Sequence, residues 1–198
     1  MTSRASQFVL RRHGPEETLT LRDLLVPLYS ATHTHLIGVD PWNAPEKWWQ
    51  RLAETYSRTR SFELVTGWDD DTIAGYAFGS PDDSGRLWPS VRSVFPHLKP
   101  SGPIYIFREF AVQPDFQRRG YGRLIHNELL DGRPEQAAHL LLRKDNAPAR
   151  AAYSSWGWKP AGELKPFPDS QTFDAMALDL TMPPLRRVLT DGRPVADQ

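Results

Sequence analysis

Two stretches carry residues that could do chemistry. The first is QRRGYG (117–122), which follows REFAVQPDF (108–116) and precedes RLIHNELL (123–130). A strand that ends in a glycine-containing turn and feeds a helix aims several unpaired backbone N–H groups at one point, where the helix dipole adds partial positive charge. Gly120 and Gly122 permit positive φ and let a ligand approach the backbone closely. Arg118 and Arg119 can add charged donors, and Arg123 falls in the first helical turn. This is the chemistry of an anion site, although a tight turn flanked by solvated arginines would use the same residues. The second stretch is IYIFREFAV (104–112), where Glu109 stands inside an apolar run. A carboxylate so placed must be solvated, paired or used. Strand alternation puts it on one face with Phe107 and Ala111, and puts Arg108, Phe110 and Val112 on the other. His33 and His35, with Asp40 nearby, are metal-ligating types. No third ligand has proper spacing, so they read as loop residues. Trp42, Trp48 and Trp49 cluster in one segment and read first as core packing.

These residues must be held by a chain of 198 residues, long enough to bury a core without staples. Basic and acidic residues balance at 24 each, so no global field favours nucleic acid or an anionic membrane. Cysteine is absent, which removes disulfides, thiolate metal sites and a cysteine nucleophile. The N-terminus has no apolar signal region, and no run of apolar residues is long enough to span a membrane. The expectation is a cytoplasmic protein that binds neither nucleic acid nor membrane. One domain is expected over 1–182, followed by a weakly ordered tail over 183–198.

The positioning elements follow from periodicity. A short strand is expected over 7–12 and a helix over 18–33 with a kink or break at Pro27. A second helical stretch lies within 39–57, with Asn43 as a cap and Pro45 in its first turn. Residues 61–70 and 72–80 read as an antiparallel hairpin. Residues 81–103 read as a long loop, functional or mobile, with a short helix around 90–95. Strands are expected over 104–112, 139–144 and 172–180, and helices over 123–130 and 147–156.

QRRGYG lacks the lysine of a P-loop, and Ile125 stands where a dinucleotide fingerprint needs its third glycine. What it does match is Gln/Arg-x-x-Gly-x-Gly/Ala after a strand ending in Ala-Val-x-Pro. There the sequence resembles the GNAT superfamily of acyl-CoA-dependent N-acyltransferases. The resemblance continues in DNAPARAAYSSWGW (145–158), where Asn146 precedes a helix bearing Tyr153, then Gly157 and Trp158. It spans about residues 61 to 180, whereas the N-terminal third agrees only in its coarse order of elements.

The resemblance implies an α/β fold, a mixed and mostly antiparallel sheet split near its centre, with helices on both faces. It also implies acetyl-CoA as cosubstrate and no metal. The 117–123 segment (Gln117, Arg118, Arg119, Gly120, Tyr121, Gly122 and Arg123) would cradle the pyrophosphate, with N–H donors from 118 to 123. Ala111 and Val112 would pair with the pantetheine arm as an added strand. A backbone N–H there would face the oxyanion that forms as the thioester is attacked. Asn146 would contact pantetheine, cap its helix, or both. Tyr153 would protonate the departing sulfur, and Glu109 would take the proton of the amine, directly or through water. The implied reaction is direct acetyl transfer to a primary amine of a small molecule. Acylation of a protein or peptide amine, or a silent CoA-binding sensor, stand as alternatives, and a homodimer stays open.

Overall fold

The computed structural model describes residues 7–166 and 170–182. The expected tail over 183–198 lies outside the described residues. Strand β1 (Phe8–His13) leads into helices α1 (Pro15–Thr20) and α2 (Arg22–Thr32), then a 3-10 turn over Pro41–Asn43 and helix α3 (Pro45–Arg51). A π-helical turn over Leu52–Tyr56 closes this N-terminal segment. The hairpin β2 (Glu63–Asp69) and β3 (Thr72–Asp82) follows, then α4 (Trp88–Val94), β4 (Ile104–Val112) and α5 (Tyr121–Leu130). The chain finishes with β5 (Ala137–Leu142), α6 (Ala147–Ser155), β6 (Lys159–Leu164) and β7 (Phe173–Asp179).

The strands join in the order β1-β2-β3-β4-β5-β7-β6, and only β4 with β5 pairs in parallel. Alternation along each strand sends side chains to two cores. One core packs Leu25, Leu28, Tyr29, Trp48 and Leu52 from α2, α3 and the π turn on Leu64, Tyr76, Phe78 and Ala111. The other packs Ile125, Leu129 and Tyr153 from α5 and α6 on Val65, Ala77, Phe107 and Leu140. Each large side chain buried this way stabilises by about 1.5–3 kcal/mol.

Several local expectations are corrected. The helix runs through Pro27, because burial of Leu25, Leu28 and Tyr29 outweighs one lost hydrogen bond; the break falls earlier, at Leu21. Asn43 is not the cap of α3. Asp40 caps the 3-10 turn, its carboxylate accepting from the Trp42 N–H at 2.8 Å, and Ala44 precedes Pro45 at the start of α3. The 81–103 segment is packed: its short helix α4 lies on β6 and β7 and buries Trp88 and Val91, and Phe95 and Leu98 after it are buried in the same cluster. Strand β6 was not expected, since Pro160 and Gly162 break its pattern; as an edge strand it tolerates both.

Candidate active site

Strand β4 is the axis of the site. Its register with β3 pairs Glu109 with Phe78 but Phe107 with Gly79, which leaves Arg108 as an extra residue. Such a bulge turns two successive side chains to one face. Arg108 lies over the Tyr56 ring at 4.9 Å and Glu109 meets Trp48, so both face α2 and α3. Phe107 packs on the opposite side with Phe110 and Val112. The expected alternation is therefore wrong at two positions: Phe107 does not share a face with Glu109, and Arg108 does. Gly79 makes the bulge possible, since a Cβ there would lie 2.3 Å from the Ile106 carbonyl oxygen.

Beyond the bulge the sheet opens. Strand β4 pairs with β5 only at Tyr105↔Ala138 and Ile106↔His139. From Phe107 to Val112 it has β3 on one side and, among the described residues, no strand on the other. Backbone groups along this edge can accept an extended ligand as an added strand. Ala111 and Val112 lie on the open stretch, and the Val112 carbonyl accepts from the Gln117 side chain at 3.1 Å.

The turn at the end of β4 has the geometry of an anion cradle, with adjustments. Arg118 and Gly120 have φ of 60° and 84°, and α5 begins at Tyr121, two residues earlier than expected. The N–H of Arg123 bonds to the Gly120 carbonyl, so the free donors run from 118 to 122 among the described residues. Gly120 supplies the positive φ, and a Cβ there would meet open space. Gly122 is helical instead, and its Cβ would come within 3.0 Å of Phe110 Cζ. Arg119 is half-exposed, with Asp69 at 3.3 Å and the Phe116 ring beneath it. The Tyr121 ring stacks on Phe8 at 3.9 Å. Arg118 and Arg123 are exposed.

Two groups suited to proton transfer flank the open stretch of β4, one on each face. Glu109 is partly exposed; it accepts from Trp48 Nε1 at 3.3 Å and lies 3.5 Å from His33 Nε2. His33 was read as a loop residue, but it ends α2, stacks on Tyr29 and points Nδ1 at the Tyr29 carbonyl at 3.0 Å. Burial pulls its pKa down, yet the bond and charge of Glu109, with the Tyr29 carbonyl, outweigh this and hold it above the ordinary value. On the opposite side of β4, Tyr153 is buried with its ring against Phe107, Phe110, Trp156 and Trp158. Burial, and secondarily the Glu109 charge, raise its pKa, so the phenol stays protonated. Its hydroxyl makes no hydrogen bond among the described residues.

The remaining candidates divide. The Asn146 side chain accepts from the Ala149 N–H at 3.1 Å, the geometry of a helix cap. Trp48 is core, whereas Trp42 is exposed under the Arg51 guanidinium. Among the described residues no three His, Cys, Asp or Glu side chains gather as a metal site, and no helix is long and apolar enough to cross a membrane.

Residues 21–158 match the acetyltransferase (GNAT) family. Among solved structures, the PH1933 protein of Pyrococcus horikoshii superposes with a TM-score of 0.64 at 16% identity, covering 87% of this chain and 98% of its own. The ribosomal-protein-S18-alanine N-acetyltransferase of Escherichia coli gives 0.60 at 18% identity, covering 92% and 100%. The paia N-acetyltransferase of Thermoplasma acidophilum, in complex with coenzyme A, gives 0.55 at 11% identity, covering 87% and 99%. No curated protein matches.

Proposed function

The chain belongs to the acetyltransferase (GNAT) family, and we propose that it moves an acetyl group from acetyl-CoA to the primary amine of a small molecule by direct transfer. One observation carries this reading: Glu109 stands on the open stretch of β4, and the Tyr153 ring packs on Phe107 and Phe110 of that same stretch from the opposite face. The free N–H groups of the 118–122 turn, with Arg118, Arg119 and Arg123, suit the pyrophosphate, and the open backbone at Ala111 and Val112 suits the pantetheine arm. Acetyl-CoA supplies an activated thioester there.

The protein's part is then positioning and proton handling. An amine reaches the site as an ammonium and must lose a proton; Glu109 is the acceptor, directly or through water. Trp48 and His33 hold the carboxylate in place. A backbone N–H at Ala111 or Val112 faces the negative charge that develops on the carbonyl oxygen. Tyr153 gives its proton to the departing sulfur. With no cysteine in the chain, no thiol is present to carry the acetyl group between the two substrates.

The test is acetyl-CoA-dependent thiol release across a panel of small amines and peptides. Glu109→Gln should bind acetyl-CoA as wild type does, lower kcat at least tenfold and alter the acidic limb of the pH–rate profile. An unaltered rate and profile would reduce Glu109 to a structural residue. Turnover of peptides alone would move the acceptor to the protein class.

A further inference from the structure

We propose that the β4 bulge makes the acceptor site selective for amino carboxylates: Glu109 receives the primary amine, and Arg108, turned to the same face, receives a carboxylate of the same molecule. The inference rests on the acetyl-transfer reading and names its substrate class.

Arg108 carries the argument because its charge is unanswered. It is half-buried, yet no carboxylate pairs with it among the described residues. Its Nε donates to Ser80 Oγ at 3.0 Å and its plane lies over Tyr56, which leaves the terminal nitrogens without hydrogen-bond partners among the described residues. Other partly buried arginines are treated differently. Arg12 bonds Glu63 and Glu128, Arg133 bonds Glu63, and Arg150 bonds Asp174. Burial lowers the Arg108 pKa, and Tyr56, Asp82 and Tyr105 offset this only from a distance. Holding such a cation without a counter-charge is costly unless a ligand supplies one. A planar guanidinium with free terminal N–H groups matches a carboxylate in two-point geometry.

A second polar group lies unanswered on the same face. The Tyr76 hydroxyl is fully buried and, among the described residues, has no hydrogen-bond partner. It belongs to the core on which α2 and α3 pack, beside Trp48 and near enough to Glu109 to feel its charge. An orphaned buried hydroxyl is destabilising, and a polar ligand group that reached it would relieve the cost. Tyr56, partly exposed beneath the Arg108 guanidinium and packed on Phe78, offers an apolar face beside these groups, with Tyr29 and Trp48 as core behind it. The cofactor's phosphates do not account for Arg108, because the 118–122 turn meets them at the far end of the open stretch.

The experiment measures thiol release with L-phenylalanine, L-leucine, β-alanine and 6-aminohexanoate, each beside its amide, and with phosphoethanolamine. At least one acid should show a KM about tenfold or more below that of its amide. Arg108→Gln should collapse this difference by raising the KM of the acid, and Arg108→Lys should restore part of it. Equal KM values for all acids and amides, a difference that survives Arg108→Gln, or a preference for phosphoethanolamine would overturn the proposal. The acid–amide comparison on wild type needs no variant to fold. Calorimetry of the same acids on CoA-loaded protein separates the two readings. Binding lost in Arg108→Gln without turnover of any amine would sink acetyl transfer and keep the Arg108 site. Turnover without preference for acids would sink the Arg108 site and keep acetyl transfer. Neither binding nor turnover would overturn both.

Discussion

Tyr153 illustrates how far a side chain's surroundings decide its chemistry. Its ring is fixed by Phe107, Phe110, Trp156 and Trp158, while its hydroxyl makes no hydrogen bond among the described residues. Phenylalanine in its place keeps the ring contacts and removes only the proton. If the phenol serves the departing sulfur, Tyr153→Phe should lower kcat by about 10²-fold or more while Tm and acetyl-CoA affinity stay near wild type. Loss of rate and of Tm together would indicate a structural hydroxyl. A rate within about threefold of wild type would assign the proton to water or another group. At this scale the sequence was partly legible. Glu109 declared itself as a carboxylate in an apolar run, because burying charge is expensive whatever the fold. His33 did not, since its contact with Glu109 bridges residues far apart in the chain and no local pattern encodes it.

The elements were legible where periodicity and turn chemistry speak for themselves. Strand β4, the hairpin before it and the helix after the glycine turn all emerged from short-range pattern. The bulge did not, because one extra residue in β4 becomes visible only against the register of β3. The two glycines of the turn likewise read alike in sequence and differ in structure. Gly120 caps α5 in the left-handed region with open space where its Cβ would be; Gly122 packs against Phe110 and Val112. Their substitutions should therefore separate. Gly120→Val should weaken acetyl-CoA binding at least tenfold in calorimetry with a modest fall in Tm, the strain of a left-handed β-branched residue being about 1–2 kcal/mol. Gly122→Val should instead show the larger fall in Tm, because the Phe110 ring must move. Wild-type affinity in folded Gly120→Val would place the pyrophosphate elsewhere.

For the molecule as a whole, the fold was legible because the strand–turn–helix motif and the later Asn–Tyr–Gly–Trp spacing both lie within its central region. The acceptor side was not, because α2, α3 and the bulged face of β4 assemble it from distant parts of the chain. Two buried histidines tie the assembled molecule to pH. His126, in α5, accepts from Trp158 Nε1 at 2.8 Å and faces Asn127, with the Arg123 charge nearby; His139, in β5, meets Ser90 of α4 and feels Asp82. Burial, the largest influence on both, pulls each pKa from 6.5 down to about 4. The folded chain thus binds these protons less readily than the unfolded chain. Their stabilisation is fully present above about pH 6.5 and is lost as pH falls towards 4, on the order of 3 kcal/mol for each site. His33 opposes this trend, since its raised pKa stabilises the fold at low pH and is lost as pH rises. Two depressed groups against one raised group predict a Tm that falls steeply between pH 7 and 4.5. His126→Gln should flatten the profile, whatever its effect on Tm at pH 7, because one of the two proton-excluding sites is gone. Parallel profiles for variant and wild type would mean that His126 is not the group that titrates.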